Sequence, residues 1–408
     1  MKLLFTLLLL PFVGQTVLAA APPSAPAADQ TEAVKGSNAF AVDLYRQLSA
    51  QPGNLFFSPE SISTAFAMTY AGAHGQTATE MARVFHFTLP PDRLHPAMGA
   101  LLAGMNAPHQ GYALSVADAL WAEKDANFLP TYLKLVQSNY GAGFHPVDFK
   151  TDPEGVRATI NAWVEKQTNN KIQNLLGPGT VTPSARLILT NAIYFKGGWA
   201  DPFSKNATEN KDFHLSASKT MQAPMMYNSG SYDYFKGPSF QALLLPYAKN
   251  EVSMLVLLPD NTDGLPALER SLTAANLEKW TAALNYADQV FVYLPRFKIT
   301  QQFELNSALE KLGLQSAFDA GVADFSAITG DKSFSISAAI HKAYIDVDES
   351  GTEAAAATAV VMTATAMAPR YPPPPPIVFN ADHPFLFLIR DNASGAILFM
   401  GRVNDPSQ

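Results

Sequence analysis

Residues 191–199 read Asn-Ala-Ile-Tyr-Phe-Lys-Gly-Gly-Trp and end an apolar run that begins at Leu187. The continuous β-branched and aromatic residues of this run predict a buried strand. Further strand-like runs follow, at 242–246, 252–258, 290–294, 385–389 and 396–403. Helical patterns lie mainly earlier in the chain, and this order favours an α+β fold over a doubly wound parallel sheet.

Three helices have clear boundaries in the sequence. Phe40, Leu44 and Leu48 recur at helical spacing and predict a helix that opens the domain near Ser37. Ser58-Pro59 follows a short strand-like run, 54–57, and predicts a helix start with proline at its first position. A third helix is predicted over 157–176, ended by Gly177-Pro178-Gly179.

Composition excludes several classes of protein. The 408 residues are 48% hydrophobic and 15% charged, which is enough apolar material for a large folded core. The formal net charge of -7, without a basic cluster, argues against a nucleic-acid partner. With no cysteine, the chain has neither disulfides nor thiolate chemistry, so its stability comes from the core alone.

The first 19 residues are typical of a secretory signal. Lys2 precedes an apolar stretch from Leu3 to Val13, and Val17-Leu18-Ala19 is a small-residue cleavage site. The apolar stretch is too short to span a bilayer. We therefore expect a protein without a membrane span, secreted or periplasmic, that begins near Ala20. Residues 20–35, rich in Ala and Pro, are predicted to be a flexible tether before a single domain at 36–408.

The sequence lacks the common motifs of enzymes. It contains no G-x-S-x-G, H-E-x-x-H, Walker or G-x-G-x-x-G pattern. No two of the eight histidines fall at a short metal-ligand spacing. We therefore predict that the chain is not an enzyme and needs no metal or cofactor.

Six segments in register resemble the serpin family over nearly the whole chain. They are 54–62 (NLFFSPESI), 147–149 with 160–176, 191–199, 294–297 (LPRF), 341–343 (HKA) and 382–387 (DHPFLF). The resemblance implies one domain of three β-sheets and eight or nine helices. It also implies an inhibitor of serine-type proteases, and further of cysteine proteases, with no catalytic residues. We expect the inhibitory type, monomeric and exported from a bacterium.

The segment from about 350 to 376 is predicted to be the exposed reactive loop. It begins with small residues and ends in a proline run, 372–376, which favours an extended, solvated chain. The resemblance makes Glu349, Ser350, Gly351, Thr352, Glu353, Ala354, Ala355, Ala356, Ala357 and Thr358 the hinge. As an inserted strand, Thr352, Ala354, Ala356 and Thr358 would face one side, all small and uncharged, with Glu353 toward solvent.

Two bonds compete as the site that the protease cuts. Counting the usual family length from Glu349 gives Thr365-Ala366, whereas counting back from Phe379 gives Arg370-Tyr371. We prefer Thr365-Ala366, because the hinge side sets how much chain can insert. A small residue there favours elastase-like or subtilisin-like proteases, while Arg370 would favour trypsin-like ones.

The resemblance also assigns residues that control insertion. Ser58, Ser61, Asn191 and His341 match the cluster behind the central strands, called the shutter here. Trp199, Arg296 and Glu349 match the top of the sheet, called the breach, where an Arg–Glu pair would matter only if partly buried. The alternative function is a binding or chaperone protein of the same fold that does not inhibit. Such a protein should carry bulky or charged residues on the side of the hinge that insertion would bury, and Thr352, Ala354, Ala356 and Thr358 are none of these.

Overall fold

The computed structural model describes residues 25–141, 143–353 and 375–408. Within these ranges the chain forms ten α-helices, the last a single turn: α1 (Ala27–Leu48), α2 (Pro59–Tyr70), α3 (Gly75–Val84), α4 (Pro91–Met105), α5 (Pro130–Tyr140), α6 (Pro153–Gln167), α7 (Leu265–Ser271), α8 (Ala274–Ala282), α9 (Asn306–Leu312) and α10 (Ser326–Thr329). Short 3-10 turns lie at Lys205–Ala207, Ala248–Asn250 and Ser316–Phe318.

The strands concentrate in the second half of the chain, as the sequence predicts. They are β1 (Leu55–Phe57), β2 (Tyr112–Glu123), β3 (Phe144–Val147), β4 (Leu187–Gly198), β5 (Glu209–Ser216), β6 (Lys219–Lys236), β7 (Phe240–Pro246), β8 (Val252–Pro259), β9 (Asn285–Pro295), β10 (Phe297–Glu304), β11 (Ile336–Asp348), β12 (Gly351–Thr352), β13 (Ile377–Asn380), β14 (Phe385–Asp391) and β15 (Ile397–Val403). All seven strand-like runs of the sequence, including 54–57, form strands, which confirms the α+β prediction.

The main sheet has six strands in the order β10-β11-β12-β4-β2-β3. The remaining strands form two sheets that share the 18-residue strand β6. Its first part pairs with β5 and β9, and its last part pairs with β7. One long strand thus links two sheets, so the described residues contain three sets of strands.

The main sheet is covered on both faces. On one face, α1 and α2 pack between it and the β7-β8-β14-β15 strands, and this interior forms the larger apolar core. On the other face, α6 lies over β2, and Trp121, Ile160, Val164 and Leu176 belong to a second, smaller core. A strand added to the middle of this sheet would therefore be buried on both sides.

The predicted start of α2 is confirmed. The Ser58 side chain accepts a hydrogen bond from the backbone N–H of Ser61, and Pro59 is the first helical residue. This cap satisfies one of the free amides at the helix end. It also fixes the direction of the first turn, from which Ser58 and Ser61 reach the main sheet.

Two boundaries predicted from the sequence are wrong. Residues 27–35 of the expected tether belong to α1, where Asp29, Ala33 and Val34 are buried. The third predicted helix ends at Gln167 instead of residue 176. Asn169 and Asn170 adopt left-handed backbone angles and turn the chain back, so that Ile172 and Leu176 reach the smaller core through a loop. Residues 1–19, the predicted signal, lie outside the described residues.

Across residues 25–141, 143–353 and 375–408, none of the helices has the length and apolarity that crossing a bilayer requires.

Candidate functional site

The centre of the main sheet is a seam between two parallel strands. Residues Leu187 to Tyr194 of β4 pair directly with Ile336 to Tyr344 of β11. Above Tyr194 and Tyr344 the two strands separate, and β12 lies in the opening. It pairs antiparallel with both strands, Gly351 opposite Gly198 and Thr352 opposite Gly197 on β4. The start of the predicted hinge is therefore already a strand of the sheet, not part of a free loop.

Gly351 can occupy this position only because it has no side chain. Its φ is +146°, and a Cβ atom there would lie 2.1 Å from the carbonyl oxygen of Gly197. The preceding turn is fixed by Asp348, whose Oδ1 accepts hydrogen bonds from the backbone N–H groups of Ser350 at 2.7 Å and Gly351 at 3.2 Å. The hinge backbone at Gly351 therefore packs directly against the backbone of β4.

Thr352 is fully buried beneath the sheet. Its hydroxyl forms a 2.7 Å hydrogen bond with the hydroxyl of Tyr247, which is also fully buried. The Tyr247 ring stacks on Trp199, with ring centroids 4.5 Å apart. Trp199 in turn donates from Nε1 to the carbonyl of Asp348 at 3.0 Å. Tyr247 was not predicted from the sequence, since nothing near it distinguishes it from an ordinary core tyrosine.

Glu353 faces the opposite side of the sheet, as strand alternation requires. The expectation that it points into solvent is wrong. Its carboxylate pairs with Lys171, in the loop after α6, and its backbone N–H donates to the carbonyl of Asp346 at 2.9 Å. The Lys171 ammonium lies 5.9 Å from the centre of the Tyr194 ring. The loop after α6 therefore covers the hinge on its outer side.

The residues predicted for the breach include an ion pair under the hinge turn, between a half-exposed Arg296 and a buried Glu349. Arg296 Nε donates to Glu349 Oε1 at 2.8 Å, and the Thr208 hydroxyl donates to the same oxygen. The Glu349 side chain is only 2% exposed, so the pair is partly buried, and the sequence analysis required this for the pair to affect the hinge. Burial tends to raise the pKa of Glu349, but the Arg296 and Thr208 hydrogen bonds outweigh it and hold the pKa below its usual value.

The four predicted shutter residues lie in one buried hydrogen-bond network. Asn191 on β4 is directly opposite His341 on β11, and His341 Nδ1 is within hydrogen-bond distance of Asn191 Oδ1. The backbone N–H of Ser58 donates to His341 Nε2 at 3.1 Å. Asn191 Nδ2 donates to the Ser61 hydroxyl at 2.6 Å. The network therefore connects α2 to both strands of the seam.

The network contains an acid that the sequence analysis did not identify. Asp118 on β2 is opposite Asn191, and its Oδ1 accepts from the Ser61 hydroxyl at 2.9 Å. Burial raises the pKa of Asp118 well above its usual value, against the hydrogen bonds from Ser61 and Asn191, which act to lower it. Burial also lowers the pKa of His341 to about 3. The imidazole is therefore neutral, with Nδ1 donating to Asn191 and Nε2 accepting from Ser58.

The remaining predicted site residues lie outside the described residues. These are the later hinge positions, Ala354 to Thr358, and both alternative reactive bonds, Thr365-Ala366 and Arg370-Tyr371. The chain is described again from Pro375, just before β13 pairs in parallel with β9. Within the described parts of the chain, no three His, Asp or Glu side chains group closely enough to hold a metal ion.

Comparison with known proteins agrees with this arrangement of strands. The family model described as serpin, serine protease inhibitor, matches residues 35–406. The chain is 43% identical over 376 residues to the leukocyte elastase inhibitor of Equus caballus, covering 90% of this chain and 97% of that protein. It is 42% identical to the leukocyte elastase inhibitor of Homo sapiens, with the same coverage.

A solved structure is similar throughout. Uncleaved ovalbumin superposes with a TM-score of 0.82 at 33% identity, covering 91% of this chain and 99% of that one. The chain belongs to the serpin family. Because this is a family of protease inhibitors, the chain is not an enzyme, and a serine protease is its expected partner class. The expected bacterial source finds no support, since the two leukocyte elastase inhibitors come from animals.

Proposed function

We propose that this chain traps serine proteases irreversibly, by letting them cut its loop and then inserting the cut strand into the main sheet. The observation that carries the proposal is the position of Gly351 and Thr352, already paired between β4 and β11 with the Thr352 side chain fully buried. Insertion after cleavage would continue a strand whose first residues are in place. The inserting loop would extend an existing strand and would not have to begin a new one.

The chain beyond Thr352 suits a buried strand. In an inserted strand, every second residue, Ala354, Ala356 and Thr358, would share the side of Thr352, and all three are small and uncharged. An unpaired charge on that side would be strongly disfavoured in the core, whereas the alanines bury no polar group and a threonine hydroxyl costs far less to bury than a charge. Fourteen residues from Thr352 to Thr365 would extend about 46 Å. A protease held by an acyl bond at that end would be carried across the molecule and lose the oxyanion geometry that hydrolysis needs.

The proposed target is an elastase-like or subtilisin-like protease that cuts Thr365-Ala366. A small residue at the cut position fits the specificity pockets of such enzymes. The names of the relatives from horse and human point to elastase as a target of those proteins. Cutting at Arg370-Tyr371 by a trypsin-like protease is the alternative, and cysteine proteases are a further class of target.

Incubation with pancreatic elastase and with subtilisin tests the proposal. We expect a complex with the summed mass of both proteins that survives boiling in detergent, and mass spectrometry of the released C-terminal peptide should locate the cut. If either protease only cleaves the chain, without forming the complex, the trapping mechanism is wrong for that protease. If a complex forms only in a parallel incubation with trypsin, and the released peptide begins at Tyr371, the bond that is cut is Arg370-Tyr371.

Thr352→Arg is the sharpest variant for this test. The guanidinium would have to be buried beside Tyr247, where no described acid pairs with Thr352, so insertion should be blocked at its first step. We expect this variant to become a substrate, cleaved at the normal bond but not trapping. Thr79→Arg, at an exposed threonine on α3, is the matched control and should trap normally. Equal trapping by both variants would contradict the role of the hinge.

We further propose that the protein is exported as a monomer after removal of residues 1–19. The support is the basic, apolar and small-residue order of the N-terminal sequence. Expression of the full chain in a secreting host should yield a mature protein that begins at Ala20. An intact Met1 on protein recovered only inside the cells would contradict export.

A further inference from the structure

Tyr247, whose hydroxyl meets the hinge at Thr352, is held in place by strands outside the main sheet. It directly follows Pro246, the last residue of β7, and forms an isolated antiparallel bridge with Trp199. Its backbone N–H donates to the carbonyl of Val252, the first residue of β8, at 3.0 Å. The position of Tyr247 therefore does not depend on whether the hinge lies in the sheet.

The Tyr247 ring is enclosed by residues at the upper end of β4. Trp199 stacks on the ring, with centroids 4.5 Å apart, and Phe195 makes an edge contact at 5.1 Å. Gly197 leaves room for the ring, because a Cβ atom there would lie 2.9 Å from Tyr247 Cδ1. Gly197 is also the residue that pairs with Thr352 in the sheet. One glycine thus makes space for both the tyrosine ring and the hinge strand.

The two hydroxyls satisfy each other in the interior. Tyr247 and Thr352 are both fully buried, and neither hydroxyl has another hydrogen-bond partner among the described residues. Burial raises the pKa of Tyr247 well above its usual value, so the phenol stays neutral. A buried hydroxyl without a partner is disfavoured, whereas one that reaches water is not. The bond therefore favours the state with Thr352 inside the sheet.

Few other contacts hold this part of the hinge. The strand β12 consists of Gly351 and Thr352 alone, so its backbone pairing with β4 and β11 is short. The neighbouring ion pair between Glu353 and Lys171 is partly exposed, and such pairs contribute little. The hydrogen bond from Tyr247 is therefore a large part of what keeps the strand in place.

We propose that Tyr247 is a positioning residue for the trapping of proteases: its hydroxyl keeps Thr352 in the sheet, so that the cut loop inserts before water releases the protease. This inference rests on the proposed function. Water that attacks the acyl ester leaves a carboxylic acid on the cut loop and returns the proton to the protease serine, so hydrolysis competes with insertion. A hinge that has left the sheet must be ordered again before insertion, and the entropic cost of this step favours hydrolysis.

The number of inhibitor molecules consumed per protease inactivated measures this competition. It is determined with pancreatic elastase, subtilisin or trypsin, whichever forms the complex with the wild-type chain. For Tyr247→Phe we expect about tenfold faster hydrogen exchange at the hinge and at least about threefold higher consumption, because the Thr352 hydroxyl loses its buried partner. Tyr286→Phe, at an exposed tyrosine of β9, is the matched control and should equal the wild type in both measurements.

The double variant Tyr247→Phe/Thr352→Val separates the hydrogen bond from packing. Thr352→Val alone should resemble Tyr247→Phe, because each single change leaves one buried hydroxyl unpaired. The double variant removes both hydroxyls, so consumption should return to within about twofold of the wild type. A double variant worse than either single variant would overturn the role of the bond.

The remaining outcomes distinguish this role from the proposed function. Normal consumption by Tyr247→Phe, with or without faster hinge exchange, would overturn the role of Tyr247 and leave trapping itself intact. If all three proteases only cleave the wild-type chain and form no complex, the proposed function fails, and the role of Tyr247 in trapping fails with it.

Discussion

His341 donates a hydrogen bond from Nδ1 to Oδ1 of Asn191, and this bond crosses the seam between β11 and β4. The two strands must part along this seam if a loop strand enters between them. The bond lies three residues below the last direct pair, Tyr344 with Tyr194. It is therefore among the first side-chain contacts that an advancing strand would break, and its strength should affect how readily the sheet opens.

His341→Leu should destabilise the sheet and ease its opening. The substitution leaves the Ser58 N–H and the Asn191 Oδ1 buried without partners, at a cost of about 2 to 5 kcal/mol in the free energy of unfolding. Urea denaturation measures this loss. His74→Leu, at an exposed histidine, is the control and should change stability little. A His341→Leu protein as stable as the control would contradict the network.

Gly351→Ala should expel β12 from the sheet. The added Cβ would meet the Gly197 carbonyl at 2.1 Å, so the backbone must move. We expect much faster hydrogen exchange in the peptide that contains Gly351 and Thr352, measured by mass spectrometry. Gly53→Ala is the matched control, because Gly53 also has a positive φ, +93°, but has no atom within 4 Å of the Cβ position. It should cost about 1 to 2 kcal/mol of backbone strain and leave hinge exchange unchanged. Unchanged hinge exchange in Gly351→Ala would contradict the close contact.

Lys171→Met should loosen the hinge only slightly. The ion pair with Glu353 is partly exposed, so its removal should cost at most about 1 kcal/mol, or fivefold in local exchange. The increase should be confined to the hinge peptide and should be smaller at high salt, where the wild-type pair is already screened. Lys150→Met removes an exposed pair with Asp125, 3.4 Å apart, and should not affect the hinge. Hinge exchange that is equal in the two variants would contradict a contact between this loop and the hinge.

Glu60→Gln should change how stability depends on pH. Glu60 lies in the first turn of α2 and is buried, and this burial raises its folded pKa to about 7. The stability that its protonated form contributes is therefore fully present below pH 4.5 and is lost as the pH rises through 7. The amide cannot ionise. Compared with wild type, the variant should therefore gain up to about 3 kcal/mol in the free energy of unfolding between pH 4.5 and 8. Urea denaturation at several pH values measures this, and a difference that does not vary with pH would contradict a buried carboxyl with a raised pKa.

Local sequence patterns predicted the parts of the fold that depend on nearest neighbours. The Ser58-Pro59 helix start and the apolar strand from Leu187 are examples, since capping and β-propensity act within a few residues. The Ala-rich stretch before Ser37 was interpreted as a tether from its composition, but it continues α1. Alanine is the best helix former, and burial of Ala33 and Val34 against the core decides the outcome.

Contacts between distant segments were harder to predict. Asp118 is a lone acid in the apolar run from Ala117 to Trp121, and this was the one available signal that it is paired in the interior. Nothing local indicates that Tyr247 meets Thr352, or that Lys171 meets Glu353, because each pair is brought together only by the folded sheet. The reversal of the chain at Asn169 and Asn170, which places Lys171, likewise depends on backbone angles that asparagine tolerates but does not dictate.

The most direct measurement is the unfolding temperature before and after one cut in the reactive loop. If residues after Thr352 become a central strand, they add a full set of backbone hydrogen bonds and buried side chains, and the midpoint should rise by more than about 10 °C. Thr352→Arg, cut at the same bond, should show a much smaller rise. A cut wild-type protein that melts at the temperature of the intact one would contradict insertion, and with it the proposed function.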